Sequence, residues 1–297
     1  MKKITIGILT YNHEKFIEKC LSSVLALKYD NLEIIVSDDC SRDNTFSVVK
    51  NVVGSSQTSH KVITNRNEIN LGLAQNFNKI FYELASGDFM ITLGGDDAII
   101  ENYLERGIYH FSEDKDIMMV DFNAFIIDEF DNIKKEDTNL LNKKKINTIQ
   151  DYLALNYISS FAPGRMFRND LIKNFDPISA ACPTEDSVLV VRALLLGKHC
   201  RIDQKVIHYR KHSSNISSID NLIKLSNVRI VSQYLKDATI LYDRLCIRDI
   251  DFLSIVLRFT YEFYRREIFY SHQNKYIKKI KLNINKRIYL LKIKLSK

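Results

Sequence analysis

The sequence predicts an α/β fold: a mainly parallel sheet flanked by helices, followed by an α-helical C-terminal extension. Three observations predict it. Short β-branched runs alternate with helical patterns through the first hundred residues, polar clusters follow the apolar runs directly, and the chain past Ser218 reads as helix.

Taken in order, the elements begin with the strand ITIGIL and a helix carrying Phe16, Ile17, Cys20, Leu21 and Val24 on one face. The strand LEIIV follows, then a helix over 45–52, the strand HKVIT, a helix over 73–84, and the strand FMITL. Directly after FMITL come GGDD and a helical pattern. Strands separated by helices at this spacing form crossover units, which run parallel. Beyond Asn123 the segment DEFDNIKKEDTNLLNKKKIN is polar and reads as a surface excursion. From Asp151 to His212 the pattern gives a helix, a loop SSFAPGRMF, a helix near Asn169, the helical segment after EDS, and a strand RIDQKVIHYR. In the C-terminal part, Leu225, Val228, Val231, Leu235, Ala238 and Leu241 make an amphipathic stripe. A shift in composition divides the chain into residues 1–215 and a helical region 216–297.

The 297 residues, 45% of them hydrophobic, suffice for a sizeable core, and the formal charge of +7 favours anionic partners. Five scattered cysteines without a C-x-x-C pair indicate neither a zinc site nor a disulfide framework, so a reducing cytosol is expected. The apolar run after Met1 is too short for a secretory signal, and VLVVRALLLG is interrupted by Arg192, so no membrane span is expected. No two of the nine glycines are separated by a single residue, which excludes G-x-G-x-x-G; the P-loop pattern is absent too. A nucleotide ligand would need another way to hold its phosphates, and a divalent cation clamped by carboxylates supplies one.

In open α/β sheets ligands gather outside the carboxyl ends of the strands. The residues leaving the strands here are Thr10, Tyr11 and Asn12, then Ser37, Asp38 and Asp39, then Gly94, Gly95, Asp96 and Asp97. Consecutive side chains diverge, so one member of the Asp96–Asp97 pair can meet a metal while the other turns to a sugar hydroxyl or an amide. The glycines ahead of them permit close approach and positive φ. A turn with a helix cap accounts for the same residues on local grounds.

The ordered set ITIGILTYNHEKFIEKCLSSVL, LEIIVSDDCSRDNT, NEINLGLAQNFN, ASGDFMITLGGDD, FDP…EDSVLVVRALLLG and VIHYRKHSSNIS resembles the family 2 glycosyltransferases of the GT-A fold over residues 4 to 217. The resemblance implies inverting transfer of a sugar from a nucleotide diphosphate, such as a UDP-sugar, with Mn²⁺ or Mg²⁺. It implies that Thr10, Tyr11 and Asp39 surround the base and ribose, that Asn70, Gly72 and Asn76 lie beside the donor, and that Asp96 faces it. Asp97 is then the metal ligand, with His212 near the metal or the diphosphate, and Asp186 of the Glu185–Asp186 pair is the catalytic base. Arg210 would offset leaving-group charge, Arg165 would face the acceptor, and Arg192 matches an arginine of the family. Gly94 departs from the family pattern, which more often has Asp there.

From Lys275 onward the chain carries nine lysines and arginines and no acid, with Ile277, Ile280, Ile284, Ile288, Leu291 and Leu295 at helical spacing. Such a helix either lies on an anionic membrane, as a peripheral protein of the inner face would, or packs on its neighbours with a solvated basic face. The expected partners are thus a nucleotide-sugar donor, a saccharide or lipid-linked acceptor of bacterial surface polysaccharide assembly, and an anionic membrane surface, with no nucleic acid. The competing reading is a catalytically silent sugar-nucleotide-binding or scaffold protein on the same fold.

Overall fold

A computed structural model describes residues 1–134, 143–212, 227–271 and 273–295. The order is β1 (Ile4–Thr10), α1 (Ile17–Leu25), β2 (Leu32–Asp38), α2 (Thr45–Ser55), β3 (Lys61–Arg66) and α3 (Leu73–Asn78), which continues as a π-helical turn over Lys79–Leu84. Next come β4 (Phe89–Gly94), β5 (Ala98–Ile99), α4 (Tyr103–Glu113), β6 (Ile117–Ile127), β7 (Lys145–Asn147), α5 (Ile149–Leu153), β8 (Arg165–Arg168) and α6 (Asp170–Lys173). The chain continues with α7 (Asp186–Leu196), β9 (Lys198–Arg210), α8 (Asn227–Asp243), α9 (Asp249–Tyr270) and α10 (Lys275–Leu295).

One sheet runs β3-β2-β1-β4-β8-β6-β9-β5, with β7 added on β9. β1 to β4 are parallel, β8 is antiparallel to both β4 and β6, and β6 and β9 are parallel. Side chains alternate across a strand, so each face acquires its own core. Ile4, Ile6 and Ile8 of β1 join Ile34 and Val36 of β2 under α1, α2 and α4. On the other face Leu9, Ile35 and Met90 pack with Phe77, Phe81, Leu171, Val188, Ile230, Tyr234 and Phe259.

Three expectations are corrected. The end of the loop SSFAPGRMF runs into β8, because Arg165 to Arg168 fill the gap between β4 and β6. No helix starts straight after GGDD: Ala98 and Ile99 pair with His208 and Ile207 of β9, and α4 waits until Tyr103. The stripe on α8 is rotated, for Ile230, Tyr234, Asp237, Ala238 and Leu241 are buried while Val228 and Leu235 are exposed. The winning face includes Asp237 because a buried arginine neutralises it.

The division expected at residue 215, and Leu225 of that stripe, lie outside the described residues. α8 and α9 share the second core with the sheet, and Arg192 is fully enclosed where it joins them. Its guanidinium bonds Asp237 at 2.8 and 2.9 Å, the Tyr82 hydroxyl at 2.6 Å and the Asp176 carbonyl at 2.9 Å. That arginine ties α7 to α8 and to the FDP turn, with no part left to reach a ligand.

Candidate active site

The strand ends are in register. Thr10 pairs with Asp38 and Leu9 with Gly94, so the segments that follow β1, β2 and β4 emerge side by side. A Cβ on Gly95 would meet Thr10 Oγ1 at 2.7 Å and His13 Nδ1 at 2.9 Å, so only glycine lets the GGDD loop come this close. Neither Gly94 nor Gly95 uses positive φ, contrary to expectation; close approach alone explains the second.

Asp96 and Asp97 diverge in opposite senses from those expected. Asp97 is buried, and its Oδ1 accepts the Arg210 backbone N–H at 2.9 Å. The half-buried Asp96 turns its Oδ2 to His212 Nε2 at 3.0 Å, with His13 Nε2 at 3.9 Å. Burial and the neighbouring Asp96 charge push the Asp97 carboxyl well up from its usual range. The two histidines oppose the burial that would raise Asp96, and hold its carboxyl below the usual range. The geometry therefore favours Asp96 over Asp97 as the residue open to a cation. Sequence reasoning missed His13, although it follows TYN by one residue.

Arg210 is also buried: it donates to the Asp96 and Asp128 carbonyls at 2.9 and 2.8 Å and to Asp131 at 2.6 Å, and stacks on Phe16. It braces the GGDD loop from behind, and its charge reaches the rim through that loop. A Cβ at Gly94 would point at Asp96 Oδ1, 2.6 Å away, so an Asp here would crowd its carboxylate against Asp96.

Asp39 is buried and accepts the N–H groups of Leu71 and Gly72 at 2.8 Å each, and Asn67 Nδ2 at 2.9 Å. Asn70 donates to the Asp39 carbonyl at 3.1 Å. Together they close the loop that starts α3 at Gly72, which has φ +82°. Asn76 is buried against Ser37 and Asn67 and so anchors the end of β2. Thr10 is buried beside His13, while the Tyr11 ring is 37% exposed at the rim.

Asp186 opens α7, its backbone N–H donating to Thr184 Oγ1 at 3.3 Å. Its side chain is exposed, whereas Glu185 is buried. Burial and the adjacent Asp186 push the Glu185 carboxyl up to about 8. Partial loss of water around its carboxyl raises Asp186 as well, with Arg165 pulling the other way. Arg165 does not face an acceptor. It is buried, with Nε and Nη2 gripping Asp121 at 2.7 and 3.1 Å and Nη1 donating to the Asp186 carbonyl at 2.7 Å. Against burial, which alone would raise it, Arg165 and His199 hold the Asp121 carboxyl far below its usual range. Arg165 pairs with Thr92 near the end of β4, which brings Asp186 to the rim that carries Asp96 and Asp39. Asp39 follows β2, and β8, whose Arg165 holds the Asp186 carbonyl, lies three places along the sheet from β2.

A mixed, mostly parallel sheet with a carboxylate and two imidazoles at one strand end, and a second exposed acid at a helix start beside it, is the framework of a GT-A sugar transferase. The chain belongs to glycosyl transferase family 2, whose family model matches residues 5–174. An uncharacterized glycosyltransferase of Nostoc sp. is 24% identical over 249 residues, 79% of this chain and 75% of that protein. A Campylobacter jejuni protein named GalNAc(5)-diNAcBac-PP-undecaprenol beta-1,3-glucosyltransferase is 29% identical over 182 residues, 59% of this chain and 54% of that one. The crystal structure of S. aureus TarS 1-349 in complex with UDP-GlcNAc superposes with a TM-score of 0.65 at 18% identity, covering 92% of this chain and 74% of the other.

Proposed function

We propose that the protein transfers a sugar from a nucleoside diphosphate donor, a UDP-sugar, to a saccharide or lipid-linked acceptor, inverting the anomeric carbon. The setting is bacterial surface polysaccharide assembly at the cytoplasmic face of a membrane. One observation carries the reading: an exposed acid, Asp186, sits on a backbone pinned by the buried Arg165, on the same rim as Asp39 and Asp96. The UDP-GlcNAc held by TarS and the undecaprenol substrate in the Campylobacter relative's name support the donor and acceptor classes.

In this mechanism the acceptor hydroxyl oxygen attacks the anomeric carbon as Asp186 takes its proton. The carbon–oxygen bond to the diphosphate breaks, and the electron pair leaves with the nucleoside diphosphate. Glu185, kept protonated by burial, leaves Asp186 as the member of the pair able to accept that proton. Tyr11 offers a flat face to the base, and Thr10, Asp39, Asn70 and Gly72 shape the donor side.

A divalent cation fits the donor set. Among the described residues no cluster of three or more such ligands closes around a point. Asp96 with His212 nevertheless offers one carboxylate and one imidazole, and Mg²⁺ or Mn²⁺ commonly takes one or two protein ligands plus substrate phosphates. Asp96 and His212, with Asp97 behind them, would hold it, and it would supply charge to offset the departing diphosphate.

The test is a calorimetric screen of nucleotide sugars with and without Mn²⁺, followed by nucleotide release. Asp186→Ala should keep donor binding and lose release. Absence of binding by every nucleotide sugar, or wild-type release by the variant, would sink the reading.

A further inference from the structure

The last two helices form an antiparallel pair whose packing uses the minor face of α10. Lys278, Leu282, Asn285, Tyr289 and Ile293 are its least exposed residues, and of these Tyr289 alone is fully buried, donating to the Leu153 carbonyl at 2.6 Å. The aliphatic row Ile277, Ile280, Ile284, Ile288, Leu291 and Leu295 is left outside, between 47% and 77% exposed. At 100° per residue it lies about a third of a turn from the packed face and runs about 27 Å along the helix. This inverts the usual surface helix, which hides its aliphatic row and shows its charges.

The flanks of the row are basic. On the same helical geometry Lys281 and Lys292 border one side, Arg287 and Lys294 the other. Beside the row, between α9 and α10, opens a groove of about 490 Å³ lined by Leu257, Tyr261, Tyr264, Ile284, Ile288 and Lys292, among others. Exposed aromatic rings of Tyr264, Phe269 and Tyr276 sit on the same helix pair. Among the described residues, none of the salt bridges involves a basic residue of α10.

We propose that this face docks on an anionic lipid bilayer, with α10 parallel to the surface and the isoleucine row at the boundary of headgroups and chains. The groove takes a lipid acyl chain. Charge complementarity selects this occupant: from Lys275 to the end there are nine basic residues and no acid, so a second copy meeting the same face would bring like charges together. Lysines beside an apolar row keep their stems in the chains and their ammonium groups at the phosphates. No described helix is long and apolar enough to cross a membrane, so the contact is one of surface immersion. The docking deepens the lipid-linked acceptor reading and, for its role in transfer, rests on that reading.

The chain has no tryptophan, so Ile288→Trp makes a single reporter on the row. With phosphatidylglycerol-containing vesicles its emission should shift to the blue, and with phosphatidylcholine alone it should not. In co-sedimentation the unaltered protein should bind the anionic vesicles and be released by salt. Ile284→Asp/Ile288→Asp and Lys281→Ser/Lys292→Ser should each weaken binding about tenfold while melting like the parent. Failure of the parent to sediment, or parent-like binding by both variants, overturns the proposal. A dimer in sedimentation velocity that the aspartate variant dissolves also overturns it, in favour of self-association. Calorimetry with nucleotide sugars on the same samples separates the two readings: donor binding without vesicle binding defeats docking alone, and the reverse defeats the donor assignment alone.

Discussion

Replacing Arg165 by lysine tests whether the buried guanidinium positions the base or faces an acceptor. Arg165 makes two bonds to Asp121, one to Ser160 Oγ at 2.8 Å and one to the Asp186 carbonyl. Lysine keeps the charge but lacks the planar fork, so one ammonium must serve oxygens that three guanidinium nitrogens now reach. Losing two charge-assisted bonds at about 1.5–3 kcal/mol each gives a destabilisation of about 3–6 kcal/mol. That is a large fraction of the stability of an ordinary domain, about 5–15 kcal/mol. Release of the Asp186 carbonyl should also let the base drift, and a shift of about 1 Å costs about a hundredfold in turnover. Urea unfolding measures the first effect, and nucleotide release with varied acceptor the second. The expected pattern is lower stability and lower kcat with acceptor KM unchanged. A variant of parental stability and kcat, with acceptor KM raised, would refute the positioning role and restore the acceptor-facing one.

Three further outcomes follow from the geometry. Asp96→Asn should weaken Mn²⁺-dependent donor binding at least about tenfold, whereas Asp97→Asn, at a buried side chain turned to the Arg210 N–H, should change it less and mainly loosen that contact; equal losses in calorimetry would contradict the assignment. Glu185 is raised from an unfolded value near 4.5 to about 8, so the fold binds the extra proton across that range and loses stability as pH rises through it. In Glu185→Gln the decline in melting temperature between pH 5 and pH 9 should be smaller than in the parent, by an amount worth about 2–4 kcal/mol. Glu33 has the opposite sign: burial would raise it, but Lys61, Lys3, the Ser86 N–H and Thr5 bring it down to about 2. Its contribution is present above about pH 4.5 and lost on acidification towards 2, so Glu33→Gln should cost about 1–3 kcal/mol at pH 7, after discounting for the exposed lysines, and little at pH 2. Denaturation at the two pH values checks it.

The order of strands and helices was legible because burial on both faces of a parallel sheet writes itself as short β-branched runs, and ITIGIL, LEIIV and FMITL are such runs. The rim was legible for the same reason, since the polar residues that end those runs must lie at the carboxyl ends. β8 was not, because its four residues RMFR have no alternation to read and owe their conformation to β4 and β6 on either side. The C-terminal stripe of α8 was misphased because a hydrophobic count cannot anticipate Asp237, whose burial depends on Arg192 from another helix.

By itself the sequence determined the α/β class, the acids and aromatics available to a ligand, and the basic aliphatic tail. These depend on residue type and local spacing, which are properties of the chain alone. Tertiary structure decided the rest: that Asp96 and not Asp97 meets the histidines, that Arg165, Arg192 and Arg210 are braces within the fold, and that the row on α10 points outward. Each of those outcomes depends on which distant groups arrive to neutralise a charge or cover a face, and such encounters are fixed only when the strands have paired and the helices have packed.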